Sequence, residues 1–243
     1  MKTLLRTLTC LIASLILCRC EQPEGQAKKP PTYPDVRVAG AMKNVMWKGE
    51  LGGVITLDTL ADGKGMYGLG PVSYLTGELL LMDGKAYVSR VVSDSTMVVE
   101  QTAAISAPFF VYAQVTEWQE TQLPDSLKTI RNLEAYLDQV TKESKRPYVF
   151  KLRGTVSEAA IHIQNLPEGT AVSSPAEAHQ GQTNYGLQDV EVEIIGFFST
   201  EHKGIFTHHD SYLHMHLITA DEKQMGHLDE VSFGDMQLYL PVK

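Results

Sequence analysis

The sequence predicts a mixed α/β fold that is rich in β-structure, and three observations lead there. Apolar and polar residues alternate with period two in one segment after another, as in half-buried strands. Asp83-Gly84 joins two such segments as a tight turn, so a β-hairpin forms there. Only one segment, 123–145, carries a clear helical period.

The chain divides into a leader, a tether and a globular part. Lys2 and Arg6 precede an apolar run from Leu8 to Leu17, too short for a comfortable membrane span, and Cys18 and Cys20 close it. Residues 1–20 thus resemble a lipoprotein-type signal and predict an exported protein, periplasmic or lipid-anchored at the cell envelope. Leu17 and Arg19, just before the cysteines, are not small, so ordinary secretory cleavage or an uncleaved anchor are the alternatives. Residues 21–35, rich in Pro, Gln and Lys, read as a flexible tether. All three cysteines lie in the leader, which leaves 36–243 without disulfide, thiol nucleophile or thiolate ligand. Any metal there must be held by His, Asp or Glu. The 243 residues suffice for a sizeable core, and a net charge of −8 without a basic stripe argues against nucleic-acid binding.

Within the globular part, 41–47 fits a short helix or a strand, and Gly52-Gly53 breaks it. Gly63 to Gly68 matches G-x-G-x-x-G, but Pro71 follows with no helical pattern, so a glycine-rich loop is expected rather than a dinucleotide site. Glu78–Met82 and Lys85–Arg90 are the two arms of the hairpin; 97–105 and 107–118 read as two more strands. The helix follows, with Pro124-Asp125-Ser126 as its start signal and Leu127, Ile130, Leu133, Leu137 and Val140 as a buried stripe. Pro147–Gly154 resumes the strand pattern and 159–167 extends it, with His162 facing away from Ile161 and Ile163. Residues 173–188 read as a long polar loop and 189–198 as a strong strand. No G-x-S-x-G elbow, P-loop or cysteine–histidine pair occurs in this part.

Six of the eight histidines fall between Gly196 and Glu230. In Leu213-His214-Met215-His216-Leu217-Ile218, His alternates with apolar residues, so His214 and His216 leave one face of a strand while Leu213, Met215 and Leu217 face a core. Their Cα atoms lie roughly 6.8 Å apart along such a strand. The polar run 219–226 ends in Gly226 and suits a hairpin loop that returns His227 beside the pair. Three neutral imidazoles with one further ligand or water make a zinc site with an open position. Most of His202, His208, His209 and Asp210 read as residues of a solvated loop, with a compensating role at the site as the alternative.

Together these segments resemble the α-acetolactate decarboxylase family. The matching residues are Tyr67-Gly68-Leu69-Gly70, Leu75-Thr76-Gly77-Glu78-Leu79, Met82 to Tyr87, Gly154-Thr155-Val156, Ile195 to Phe198, Tyr212 to Leu217 and Gly226 to Asp229. The resemblance covers roughly residues 40 to 241. It implies a zinc ion held by His214, His216 and His227, an acidic site residue at Glu78, two packed β-rich halves with few helices, and a homodimer. The implied reaction takes a small 2-hydroxy-3-keto acid, 2-acetolactate, to acetoin and carbon dioxide. A divalent metal on the ketone and hydroxyl oxygens would stabilise the enediolate left by decarboxylation, and Glu78 would bind the metal or move a proton.

Three departures accompany the resemblance. His162 stands where the family has a site arginine, serving the substrate's carboxylate or the proton transfer. Pro71 replaces a threonine, and the sequence stops soon after Pro241, without the family's C-terminal extension and its glutamate. The metal frame is thus kept while part of the substrate shell is altered. Glu78 and His162 are the expected catalytic residues. The competing readings are another His-rich metalloenzyme of cupin-like type and an exported, non-catalytic protein that binds a metal or metabolite.

Overall fold

The computed structural model describes residues 35–61 and 63–242. The leader at 1–20 lies outside the described residues, as does the tether up to residue 34. Thirteen strands and three α-helices follow in order: β1 (Arg37–Gly40), α1 (Met42–Lys48), β2 (Ile55–Thr56), β3 (Met66–Pro71), β4 (Glu78–Met82), β5 (Lys85–Ser93), β6 (Thr96–Gln101), β7 (Ser106–Ala107), β8 (Phe109–Gln114), β9 (Trp118–Gln122), α2 (Ile130–Val140), β10 (Tyr148–Ile163), α3 (Pro175–Ala178), β11 (Thr183–Phe198), β12 (Leu213–Thr219) and β13 (Met225–Pro241). One sheet has six strands in the order β1-β8-β3-β4-β5-β6; the other has five, β10-β11-β12-β13-β9, and β10 also pairs with β13. The β-rich α/β expectation of two packed halves with few helices holds.

Strand parity sets the layers. In β12, Leu213, Met215 and Leu217 enter the core enclosed by the second sheet, together with Ile161, Ile163 and Leu228. Ile218, two residues beyond His216 on the other face, joins Leu80, Phe197 and Met225 in the core between the sheets. Leu79 and Leu81 of β4 pack on the far side of the first sheet. Glu78 shares the parity of Leu80 and therefore faces the second sheet. A β-carbon at Gly77 would lie 2.4 Å from the Ser89 carbonyl oxygen, so β4 can start against β5 only with glycine there.

Of the two readings left open for segment 41–47, the helix is the one formed, as α1. Several other expectations are corrected. Segments 97–105 and 107–118 give four strands, β6 to β9, rather than two. Met66 to Gly68 of the glycine-rich segment belong to β3, not to a loop. The long polar loop at 173–188 instead holds α3 and the start of β11. Helix α2 begins after Thr129, not at Pro124-Asp125-Ser126: the Thr129 side chain accepts from the Asn132 N–H, and the Asn132 side chain accepts from the Thr129 N–H. Lys128 is held out of the helix because its carbonyl accepts from the Phe233 N–H and its ammonium donates to the Phe233 carbonyl. Of the expected stripe only Leu133 and Leu137 are buried within α2, and Val140 is exposed.

Candidate metal centre

Three antiparallel pairings assemble the site. β12 and β13 set His216 opposite His227, as the hairpin reading requires. β10 pairs with β13 so that His162 lies opposite His227. This close approach depends on Gly226, whose added β-carbon would sit 2.5 Å from the His162 carbonyl oxygen. β4 of the first sheet then brings Glu78 over the trio, its Oε2 3.6 Å from His216 Nε2.

His214, His216 and His227 each offer a nitrogen within 4.8 Å of the others. None is more than 6% exposed. The Nδ1 of His214 and both ring nitrogens of His216 are buried and lack a hydrogen-bond partner. Burial drives all three imidazoles toward neutrality, and neighbouring histidines add to the effect; His216 is lowered to about 3, with the Leu79 backbone beside it acting weakly the other way. Neutral imidazoles with unused lone pairs are the form a metal takes, so this donor set fits a metal ion.

Glu78 is buried, and burial pushes its carboxyl well above the usual range; the Gln164 backbone N–H, donating to Oε1 at 3.2 Å, opposes this and the Asp229 charge reinforces it. His162 lies against His227 with ring centroids 4.6 Å apart. Its Nδ1 is 2.9 and 2.8 Å from the two Asp229 carboxylate oxygens. Gln164, whose Nε2 lies 3.4 Å from His162 Nε2, also donates to Gln182 Oε1 at 3.3 Å. All five site residues expected from the sequence thus share one region.

Sequence reasoning missed others. His208, for which a site role was the alternative to a solvated loop, reaches the site: its Nε2 lies 3.1 Å from His227 Nε2. The loop that carries it is anchored, since the Met42 and Lys43 N–H groups at the start of α1 donate to the Ile205 and Gly204 carbonyls, each at 2.8 Å. Phe206 and Thr207 are buried. His202 is structural, bonded to Ser199 Oγ and stacked on Phe206. Asp229 carried an unused signal, because it stands two residues after His227 in β13 and shares its face. His179, at the end of α3, lines the same cavity, and nothing local in the sequence marks it.

The cavity over the site is about 320 Å³. Met42, Met46, Trp47, Leu75 and Phe109 give it an apolar wall, with Glu78, His162, Gln164, His214 and His227 opposite. It is a space for a small molecule with one reactive polar end.

The family model described as alpha-acetolactate decarboxylase matches residues 40–242. The alpha-acetolactate decarboxylase of Brevibacillus brevis is 24% identical over 242 residues, covering 94% of this chain and 82% of that protein. That of Streptococcus thermophilus is 25% identical over 190 residues, covering 74% and 73% respectively. Among solved structures, alpha-acetolactate decarboxylase from Bacillus subtilis strain 168 gives a TM-score of 0.71 at 20% identity, over 86% of this chain and 85% of that one. A Staphylococcus aureus protein of unknown function similar to alpha-acetolactate decarboxylase gives 0.69 at 18% identity, over 84% of each chain.

Proposed function

Since this chain belongs to the alpha-acetolactate decarboxylase family, we infer that it is a carboxy-lyase converting 2-acetolactate to acetoin and carbon dioxide, with a divalent metal held by His214, His216 and His227. The observation that carries the metal assignment is the trio of buried imidazoles, of which His214 and His216 have partnerless nitrogens and His216 lies 3.6 Å from the buried Glu78 carboxyl. Zinc is the ion we assign, because three imidazoles and an open position suit it. A bound divalent ion supplies Lewis-acid stabilisation of the charge that loss of carbon dioxide leaves on the substrate's ketone oxygen.

The chain's own residues do the rest. Glu78, held at Oε1 by the Gln164 N–H, lines the cavity beside the trio and is the group placed to deliver the proton that replaces the carboxylate. Asp229 orients the His162 ring, and His162 serves the substrate's carboxylate where the resemblance places an arginine. The apolar wall excludes water and keeps the carbanionic carbon from being protonated at random.

Acetoin formation from racemic 2-acetolactate, with metal content measured in parallel and His214→Ala as control, tests this reading. Metal-loaded protein that makes no acetoin would favour the non-catalytic binding module. We also propose that the protein is an exported homodimer tethered through a leader cysteine; native mass, and membrane fractionation of Cys18→Ser and Cys20→Ser variants, test those assignments.

A further inference from the structure

We propose that Lys43, on α1, supplies the positive charge that draws the substrate's carboxylate into the site. The proposal rests on the decarboxylase reading above and deepens it by naming a residue that selects for an anionic substrate.

The charge balance of the cavity comes first. The chain carries a net charge of −8. Glu78 and Asp229 line the cavity, and both are acidic. His179, His208, His214 and His227 line it as well, and burial drives each of these imidazoles toward neutrality. His162 stands where the resemblance places an arginine, but its Nδ1 lies 2.8 Å from an Asp229 oxygen. In either protonation state of the imidazole, that histidine–carboxylate couple carries no net positive charge. It can donate a hydrogen bond to an anion, but it does not attract one from a distance. A metal on the trio is committed, in the reading above, to the ketone end of the substrate. The carboxylate end is left to be met by a cation from elsewhere.

Lys43 is placed for this. Among the described residues lining the cavity it is the one lysine or arginine. Its N–H donates to the Gly204 carbonyl at 2.8 Å, which ties the start of α1 to the loop that carries His208. Met46 and Trp47 line the cavity from the same helix. They stand three and four residues after Lys43, so they neighbour it on the helix surface and offer its aliphatic stem an apolar bed. The ammonium is not spent elsewhere: among the described residues it makes no ion pair and no hydrogen bond. Lys43 is exposed, so it meets an incoming anion at the mouth before the anion reaches His162. A point charge on a flexible stem suits such capture, because it can follow the carboxylate inward. A rim lysine without this role would be a solvated side chain whose loss changes nothing at the site.

The test uses the zinc-loaded full chain and acetoin formation from 2-acetolactate at low ionic strength. Lys43→Ala should raise KM about two- to fivefold, the worth of one exposed charge pair, with kcat changed by less than about twofold. Lys43→Glu reverses the charge and should raise KM about four- to twenty-five-fold, while Lys43→Arg should keep the wild-type KM. Salt at about 1 M should bring the wild-type KM up to that of Lys43→Ala, since the screening length is then about 3 Å. A second arm needs no turnover: NMR titration of the wild type and Lys43→Glu with 2-hydroxy-2-methylpropanoate, an anion without the ketone, and with neutral acetoin. Charge reversal should weaken binding of the anion alone. Equal KM and equal anion binding in the wild type and Lys43→Glu would overturn the role of Lys43 while leaving the decarboxylase reading standing. An equal loss of anion and acetoin binding would do the same, because it reports damage to the site rather than a lost charge. A wild type that makes no acetoin but binds the anion through Lys43 would overturn the decarboxylase reading and leave the anion-attracting role in place. A wild type that does neither would overturn both.

Discussion

Replacing His216 with leucine separates metal binding from folding. His216 is fully buried, and neither ring nitrogen has a hydrogen-bond partner. Each such group costs on the order of 1–3 kcal/mol in a metal-free fold. Leucine removes both groups; its different shape returns a packing cost of about 1–3 kcal/mol. The metal-free His216→Leu protein should therefore be about as stable as the metal-free wild type, or more so. Zinc at about 100 times its dissociation constant should stabilise the wild type by about 2.7 kcal/mol. For a domain of about 200 residues this is a rise in Tm of roughly 5–10 °C. The variant should show no such rise. The assay is thermal unfolding by circular dichroism with and without zinc. A metal-free variant that loses several kcal/mol would mean that His216 is a satisfied core residue. An unchanged zinc-dependent rise would mean that the trio is not the metal centre.

Glu78→Gln should lower acetoin formation at least about 100-fold, the usual range for loss of an acid–base group. The metal-free fold should not suffer: a carboxyl raised by burial contributes stability only at low pH and loses it as pH rises through the folded value, so glutamine is neutral or favourable at pH 7. His162→Ala should cut turnover while zinc stays bound, which metal analysis of the purified variant checks. The metal-free protein should also lose stability in acid. His216 remains neutral in the fold down to about pH 3, while the unfolded chain takes up its proton near pH 6.5. Stability should therefore fall as pH drops below 6.5, by about 1.4 kcal/mol per unit for this one group. His214 and His227 act in the same direction. Because Glu78 acts the other way over this range, urea unfolding of the Glu78→Gln protein between pH 7 and 5 measures the slope, and a flat profile there would show that the imidazoles are not held neutral.

Facing within a strand is a local property, and the sequence determined it by itself. The alternation from Leu213 to Ile218 was enough to place His214 and His216 on one face and three apolar neighbours on the other, because side chains of a strand alternate whatever surrounds it. The polar turn and Gly226 likewise sufficed to bring back His227. Matching residues then supplied the family, and with it the expectation that Glu78 belongs to the site.

Meetings across elements were decided only by the tertiary structure. Glu78 reaches His216 because two sheets pack face to face, bringing together residues 138 positions apart that no local period connects. His208 reaches His227 because backbone groups of α1 pin its loop. The start of α2 moved past its apparent capping signal because β13 claims Lys128 first. Hydrogen bonds and burial between distant segments outweigh local propensity wherever the two compete, and at this site the chemistry depends on those distant pairings.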